Sequence, residues 1–464
     1  MSGNLGDTIA AIATALGEGG IGIVRVSGPG ALGIADSVFR CSSKNKLSTS
    51  PSHTIHYGHV RHPKTGEVLD EALVSIMRAP RTYTREDLVE INCHGGGMSL
   101  KKTLDACLFA GARIAQPGEF TKRAFVNGRI DLAQAEAVMD IISSETEKAQ
   151  KFALGQLEGG LSSEVEALRD ELVGILVLLE LSLDFSQEDV EFPQPEEVSA
   201  KMRDVLSKLT VLLGTASGGM MLRAGASVVI AGKPNVGKSS LMNALLKHER
   251  VIVTPIAGTT RDVIEESINL NGIKIKLSDT AGIVDTKDRV EIEGIRRSRE
   301  KLASADIVVF VIDSSLDITE RDMGIYDAVK HKKTVIVLNK TDLGEHEASR
   351  RARKEFKDEE IVMVSALKKT GLEELEGAIS RKLFSGSLFP SGESPVIMNA
   401  RHKECIEKAE CSTRRALDIF LGHASAEIVS IDIREAAHSL GLIVGKSIED
   451  DVVERIFSKF CIGK

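Results

Sequence analysis

The chain has no tryptophan, and aromatic residues make up only 4% of its 464 positions. It also lacks a basic excess: 59 Lys and Arg stand against 67 Asp and Glu, for a net charge of −8. An RNA-gripping surface needs a basic stripe or stacking aromatics, so both shortages argue against an autonomous RNA-binding module. Any nucleic-acid contact then has to be local or supplied by a partner. The cysteines Cys41, Cys93, Cys107, Cys405, Cys411 and Cys461 contain no C-x-x-C pair. That argues against a zinc site or a disulfide frame and for reduced thiols in the cytosol. The apolar run Leu172 to Leu179 is too short to span a bilayer. The first residues show neither a basic-then-apolar signal nor an Arg-rich transit pattern. The expectation is a soluble, cytoplasmic protein with no membrane association.

Against this background one local pattern dominates. Gly232-Lys233-Pro234-Asn235-Val236-Gly237-Lys238-Ser239 fits G-x-x-x-x-G-K-[ST], the phosphate loop. An apolar strand, Val228 to Ala231, precedes it, and Ser240 to Leu246 reads as the start of a helix. In such a loop inward-turned N–H groups and the helix N-terminus hold phosphates, the Lys238 ammonium neutralises the β/γ oxygens, and the Ser239 hydroxyl suits Mg²⁺.

Further signals follow in order. Asn271-Gly272 reads as a hairpin turn between alternating Ile268, Leu270, Ile273, Ile275 and Leu277. The hairpin leads into Asp279-Thr280-Ala281-Gly282, where an Asp can hold Mg²⁺ through water and Gly282 lets the backbone approach a γ-phosphate. Asn339-Lys340-Thr341-Asp342 follows the strand Val335 to Leu338. The Asp342 carboxylate can accept two hydrogen bonds from guanine N1–H and the N2 amine, donors that adenine lacks, which selects GTP over ATP. Ser365-Ala366-Leu367, after the strand Ile361 to Val364, backs the same base. Gly258-Thr259-Thr260 lies where a mobile segment can bring a Thr to the metal. The order and spacing are those of a small G domain.

Two residues depart from the Ras-like pattern. Ile283 stands where a Gln would orient the attacking water, so another group must do so or hydrolysis is slow. The nearby acids Asp285, Asp288, Glu291 and Glu293 read, on composition, as solvated loop charges. Asn235 inside the phosphate loop is open to two readings, a loop-capping side chain or a ligand for a monovalent cation beside the phosphates.

Chain length suggests about three domains. Residues 1 to about 118 alternate Gly with short β-like runs, such as Ile21 to Val26 and Leu88 to Ile91, with a helix near Ser99 to Phe109. From about 121 to 215 helical spacing takes over: Leu132, Ala135, Val138, Met139 and Ile142, then Leu168, Leu172, Ile175, Leu179 and Leu183. Helical periodicity resumes near 400. One helical domain split by an inserted G domain follows, with hinges expected at Gly214 to Gly219 and at 385–395. By themselves Cys461 reads as a small buried hydrophobe, His94 as a turn residue and Arg25 as a surface cation.

Across its whole length the chain resembles the bacterial MnmE (TrmE) family of tRNA-modification GTPases. The likeness is carried by Asp7-Thr8-Ile9-Ala10, Gly19-Gly20-Ile21-Gly22-Ile23-Val24-Arg25, Tyr83-Thr84 with Glu86-Asp87, and His94-Gly95-Gly96. It continues through Pro117-Gly118-Glu119-Phe120-Thr121-Lys122-Arg123-Ala124-Phe125, Asp131-Leu132 with Gln134-Ala135-Glu136-Ala137, the G motifs, and the tail Cys461-Ile462-Gly463-Lys464. One departure is Arg85, where a Gly often stands.

The resemblance implies an α/β plus all-α architecture. Residues 1–118 would be a tetrahydrofolate-binding α+β domain that makes a homodimer. Residues 119–222 and 386–464 would be the two parts of a helical domain, and 223–385 an inserted Ras-like G domain. Arg25, Glu90, Arg129 and Lys464 are implied as folate contacts, with Cys461 near the folate; a Lys is common at the Arg129 position. GTP would meet Asn235, Val236, Gly237, Lys238, Ser239, Ser240, the first-switch residues Thr254, Pro255, Ile256, Ala257, Gly258, Thr259 and Thr260, then Asp279, Thr280, Ala281, Gly282, Asn339, Lys340, Asp342, Ser365 and Ala366. Mg²⁺ would be held by Ser239 and Thr260, and K⁺ by Asn235, Thr254, Ile256 and Thr259. Glu291 takes the place of the water-orienting acid and acts with Lys238. The implied reaction adds an aminomethyl or carboxymethylaminomethyl group at C5 of wobble uridine (U34) in certain tRNAs. Its carbon would come from 5,10-methylene-tetrahydrofolate, with 5-formyl-tetrahydrofolate a further folate ligand. An FAD- and NADH-using partner, MnmG (GidA), would share the chemistry in a heterotetramer. Two other readings stand beside this one: a ribosome-assembly switch, which would want a KH-like module that no segment after the G domain supplies, and a folate-dependent transferase regulated by its G domain.

Overall fold

A computed structural model describes residues 6–42, 46–184, 194–248, 266–279, 302–344, 347–384, 396–446 and 450–464. Its described residues form two compact units, one made of the chain up to Met139 and from Gly441 onward, the other of Asp140 to Leu440.

The first unit is built on a seven-stranded sheet of order β3-β4-β5-β6-β2-β1-β7. Its strands are β1 (Ile9–Ile12), β2 (Ile21–Ser27), β3 (Phe39–Cys41), β4 (Thr54–Arg61), β5 (Val68–Met77), β6 (Leu88–His94) and β7 (Arg113–Ile114). All neighbours are antiparallel except β1 and β7. Period-two alternation decides which face is buried. Val89, Ile91 and Cys93 of β6 join a core with residues of α1 (Ala31–Val38) and α2 (Gly97–Phe109). Burial pushes the Cys93 thiol up to about 11 and the Cys107 thiol up to about 12, so both stay protonated and inert. The other face carries Glu90, Asn92 and Arg25, and beside them Ile21, Ile55, Tyr57 and Leu73, exposed at 69, 69, 50 and 46%.

Helix α3 (Glu119–Val126) is fixed by a buried charge cluster. The Arg123 guanidinium, fully buried, reaches Asp7 at 2.6 Å, Glu86 at 3.0 Å and Glu119 at 3.1 Å. An Arg out of water persists only with such partners. The start of α4 (Leu132–Ser143) packs Leu132 and Ala135 against Val453, Phe457 and Phe460 of the chain's last segment.

In the second unit, α5 (Glu147–Leu157), α6 (Gly160–Asp184), α7 (Pro195–Gly214) and α8 (Ala216–Ala224) precede the inserted sheet, and Ala400–Leu421 follows it and packs along α7. The spacing of Leu168, Leu172, Ile175 and Leu179 on α6 corresponds to its buried face; the Leu183 side chain lies outside the described residues. The run Pro195–Ala224 is long and apolar enough, by composition alone, to cross a membrane. It is broken at Thr215, and Val198, Met202, Val205, Leu209 and Leu212 are buried within the unit, as in a core helix.

Gly214 to Gly219 are not the hinge their composition suggested. Gly214 ends α7 and the stretch from Ala216 is helical and largely buried. A Cβ on Gly219 would lie 2.2 Å from the Ile397 carbonyl oxygen. Thr215 Oγ1 accepts a 3.2 Å hydrogen bond from the Ile397 N–H, and Gln156 donates to the Val396 carbonyl at 2.9 Å. Small residues here serve close approach, stitching together the chain segments on either side of the insertion. The second expected hinge, 385–395, lies outside the described residues.

The inserted sheet has the order β13-β12-β11-β8-β10-β9, from β8 (Ala226–Ala231), β9 (Glu266–Leu270), β10 (Ile273–Asp279), β11 (Ile307–Asp313), β12 (Thr334–Asn339) and β13 (Glu360–Met363). Every pair is parallel except the β9–β10 hairpin. Strands β11 and β12 are buried throughout, as a parallel sheet covered on both faces requires.

Candidate functional site

The phosphate loop leaves the C-terminal end of the central strand β8, where open α/β sheets bind ligands. Two glycines make its path possible. Gly232 has φ +150° and a Cβ there would come within 2.4 Å of the Val311 carbonyl oxygen. Gly237 has φ +96° and a Cβ would sit 2.3 Å from Asn339 Nδ2. Asn235 takes the left-handed conformation at φ +65°, which Asn tolerates better than most side chains. Helix α9 (Lys238–His248) starts directly after, with Ser239 and Ser240 exposed in its first turn. The Lys238 ammonium is buried and donates to the Lys233 carbonyl at 2.9 Å, inside the loop that it is expected to serve.

The base loop is clasped to the phosphate loop by two residues. Asn339 Nδ2 donates to the Val236 carbonyl at 2.9 Å, while its Oδ1 accepts from Ala366 N–H at 3.1 Å. Lys340, at φ +67°, donates to the Asn235 carbonyl at 2.9 Å. The motif marks both residues as contacts to GTP and carries no local signal of this clasp; Asn339 is in register with Asp313 on the neighbouring strand. Ser365 donates to the Asp342 carboxylate at 2.5 Å and accepts from Lys368 N–H at 3.1 Å. The Ser365 hydrogen bond, above all, holds Asp342 below the usual carboxylate range, so it is ionised and acceptor-only at neutral pH.

Strand β10 delivers Asp279 to its C-terminal end in register with Ile230, beside the phosphate loop. Thr254, Pro255, Ile256, Ala257, Gly258, Thr259, Thr260, Thr280, Ala281, Gly282, Ile283 and Glu291 lie outside the described residues.

Arg25, Glu90 and Arg129 come together around Tyr83 in the first unit, and the tail reaches Arg25 through Gly463, with Lys464 placed by its backbone. Arg25 and Glu90 are cross-strand partners on β2 and β6, with Arg25 Nε and NH2 2.9 and 2.8 Å from Glu90 Oε1. Arg25 also donates to the Gly463 carbonyl at 3.3 Å. Its guanidinium lies 5.6 Å from the centres of both the Tyr83 and Phe120 rings, and that of Arg129 lies 4.7 Å from Tyr83. Tyr83 is thus a platform for two cations, with its hydroxyl 2.9 Å from Thr121 Oγ1. The tail is held by its backbone: Gly118 N–H donates to the Cys461 carbonyl at 3.3 Å and Phe120 N–H to the Lys464 oxygen at 3.2 Å. Gly463 has φ +93°, and a Cβ there would meet the Ile12 carbonyl oxygen at 2.2 Å. Cys461 is exposed rather than a buried hydrophobe. Tyr83, Phe120 and Gly463 were not singled out from sequence as site residues, although each falls in a quoted motif. His94 lies further along β6, its ring 2.7 Å from the Asp70 carboxylate.

A mostly parallel six-stranded sheet with a phosphate loop after its central strand and Asn-Lys-x-Asp after β12 defines a guanine-nucleotide-binding P-loop domain, here set within a helical framework. The MnmE helical domain model matches residues 132–461, and the model for the GTP-binding protein TrmE N-terminus matches 8–129. The tRNA modification GTPase MnmE of Alkaliphilus oremlandii is 46% identical over 99% of each chain. Those of Bacillus velezensis and Staphylococcus aureus are 44 and 42% identical over 99% of this chain, covering 100 and 99% of their own. Among solved structures, Aquifex aeolicus Era matches at 31% identity over 40% of this chain and 66% of its own, with a TM-score of 0.30; the strand order above, not that score, defines the domain. The chain belongs to the MnmE family of tRNA modification GTPases.

Proposed function

We propose that the chain hydrolyses GTP in a K⁺-dependent cycle that serves addition of an aminomethyl or carboxymethylaminomethyl group at C5 of wobble uridine in certain tRNAs. The observation that carries the GTPase half is the Asp342–Ser365 pair clasped to the phosphate loop through Asn339. A half-buried, acceptor-only carboxylate matched to the two guanine donors rejects a base lacking them. Lys238 neutralises phosphate oxygens, and Ser239 with Thr260 would hold Mg²⁺, which supplies charge neutralisation at the phosphates. Asn235 with Thr254, Ile256 and Thr259 would hold K⁺, and Glu291 would orient water in place of the Gln that Ile283 replaces. The left-handed, exposed Asn235 inside the phosphate loop fits a ligand role.

The folate half rests on the cluster of Arg25, Glu90, Arg129 and the tail. A carboxylate beside two guanidiniums suits a ligand with ring N–H donors at one end and carboxylates at the other. When bound, a methylene-tetrahydrofolate would supply the one-carbon unit; the chain's residues bind and orient it. The exposed Ile21, Ile55, Tyr57 and Leu73 on the same sheet face suit a homodimer interface. The acidic composition suits a division of labour in which the FAD-dependent partner MnmG carries much of the tRNA contact in the cytoplasm. The four-part division at 118, 222 and 385 belongs to this reading.

GTP turnover measured in matched K⁺ and Na⁺ buffers tests it, with mass spectrometry of wobble uridine in a deletion strain. Much faster turnover in K⁺ and loss of the modified base are expected. Equal rates in the two salts overturn the K⁺ mechanism, and an unchanged tRNA overturns the modification role.

A further inference from the structure

Two buried carboxylates lie beside the nucleotide loops and belong to none of the nucleotide-binding motifs. Asp313 ends β11 with 5% of its surface exposed, and Asp322 sits in the first turn of the helix Glu320–Val329 with 1% exposed. Asp313 Oδ2 lies 2.6 Å from the Lys340 ammonium, and its Oδ1 accepts from the Ser315 N–H at 3.0 Å and the Ser315 hydroxyl at 2.6 Å. Asp322 Oδ2 lies 2.6 Å from the Lys233 ammonium and accepts from Thr319 N–H at 2.8 Å. Both acids line one cavity of about 300 Å³ together with Lys233, Asn235 and Lys340.

Each ammonium passes the constraint on to the nucleotide loops. Lys340, fixed by Asp313, donates to the Asn235 carbonyl at 2.9 Å. Lys233, fixed by Asp322, offers its own carbonyl to the Lys238 ammonium at 2.9 Å. Without its carboxylate each ammonium would keep its rotamer freedom and its water, and would restrain neither the Asn235 carbonyl nor the backbone at Lys233. Burial of the carboxylate removes the competing water and makes the pair directional. We infer that Asp313 and Asp322 are positioning residues that preset the phosphate loop, the one through Lys340 and the other through Lys233. The inference deepens the GTP reading and rests on it.

Asp313→Asn and Asp322→Asn keep the neutral hydrogen bonds to Ser315 and Thr319 while removing the charge, so helix capping survives. Dissociation of a fluorescent (mant) GDP from the full chain is the readout, with kcat and KM for GTP alongside. Each variant is expected to release mant-GDP about tenfold faster, with KM raised and kcat at saturating GTP changed far less. Lys233→Met, which also removes the 3.0 Å hydrogen bond from the Lys233 ammonium to Thr319 Oγ1, should release at least as fast as Asp322→Asn, and the double variant should add nothing to Lys233→Met, because the shared pair is already gone. Wild-type release rates in folded variants, or additive effects of Lys233→Met and Asp322→Asn, would overturn the inference. A lowered melting temperature with unchanged release would reduce the acids to structural ion pairs and overturn it equally. Failure of the wild type to bind mant-GDP would overturn the nucleotide reading and this inference with it.

Discussion

The nucleotide motifs sit at the C-terminal ends of parallel strands, β8, β10, β12 and β13, within one continuous sheet. The cluster around Arg25 is assembled otherwise. It takes cross-strand partners from β2 and β6, a platform from the loop at Tyr83, a cation at Arg129 and the backbone of Gly463, almost the whole chain away from Arg25. The described loops of the first site are each anchored on a strand of that sheet, and each can be broken at its own residue. The second depends on a tail held by backbone hydrogen bonds and one left-handed glycine, so it can be broken from a distance while its side chains stay unchanged.

The largest effect is expected at Glu291, the residue proposed to orient water. Glu291→Ala is expected to lower kcat about 100-fold or more while leaving GTP affinity in place, the pattern of a group acting only in the transition state. Stopped-flow binding and single-turnover hydrolysis on the same sample separate the two, and a fully active variant removes Glu291 from the mechanism. In the base loop, Asp342→Asn replaces one acceptor oxygen with a donor amide against a guanine that itself donates. GTP affinity should fall about 100-fold and preference should shift toward xanthosine nucleotides, read by competition titration. In the other site, Glu90→Ala should weaken 5-formyl-tetrahydrofolate by about tenfold without touching GTP affinity, because the Glu90–Arg25 pair is only partly shielded from water.

The smallest expected effect is a titration. A hydrogen bond to Asp70 raises His94 above its ordinary value of 6.5, and His94 is exposed. Burial would push Asp70 up, but hydrogen bonds from His94 and Ser99 hold it below 3.8. The pair's stabilisation is therefore full below the unfolded His value and lost as pH rises through the folded one; at the acid end it is lost as pH falls through the folded Asp70 value. NMR titration should place His94 above 6.5 in the wild type and near it in Asp70→Asn. Identical titration in both would show the pair to be without electrostatic weight.

Contiguous patterns were legible: the phosphate loop, Asn-Lys-x-Asp, the Asn271-Gly272 turn and the spacing of Leu168, Leu172, Ile175 and Leu179 all became the elements expected of them. What the residues meet across the chain was not legible. Gly219 and its neighbours have the composition of a linker, and only the Ile397 backbone packed against them makes them a seam. Asn339 has the motif of a base contact and also acts as a clasp, because Val236 and Ala366 come to it from the loops after β8 and β13. Tyr83 and Gly463 carry no local signal of their work, since their partners are Arg25, Arg129 and Ile12.

The contrast between the two sites is tested most directly by Gly463→Val, with calorimetric titration of 5-formyl-tetrahydrofolate and mant-GTP binding measured on the same protein. The side chain cannot fit 2.2 Å from the Ile12 carbonyl oxygen, so the tail must leave its seat and Arg25 loses its Gly463 contact. The account predicts that folate heat, present in the wild type, falls by about tenfold or more in affinity while mant-GTP binds as before. Undiminished folate binding in the variant, or no folate heat in the wild type, would contradict it.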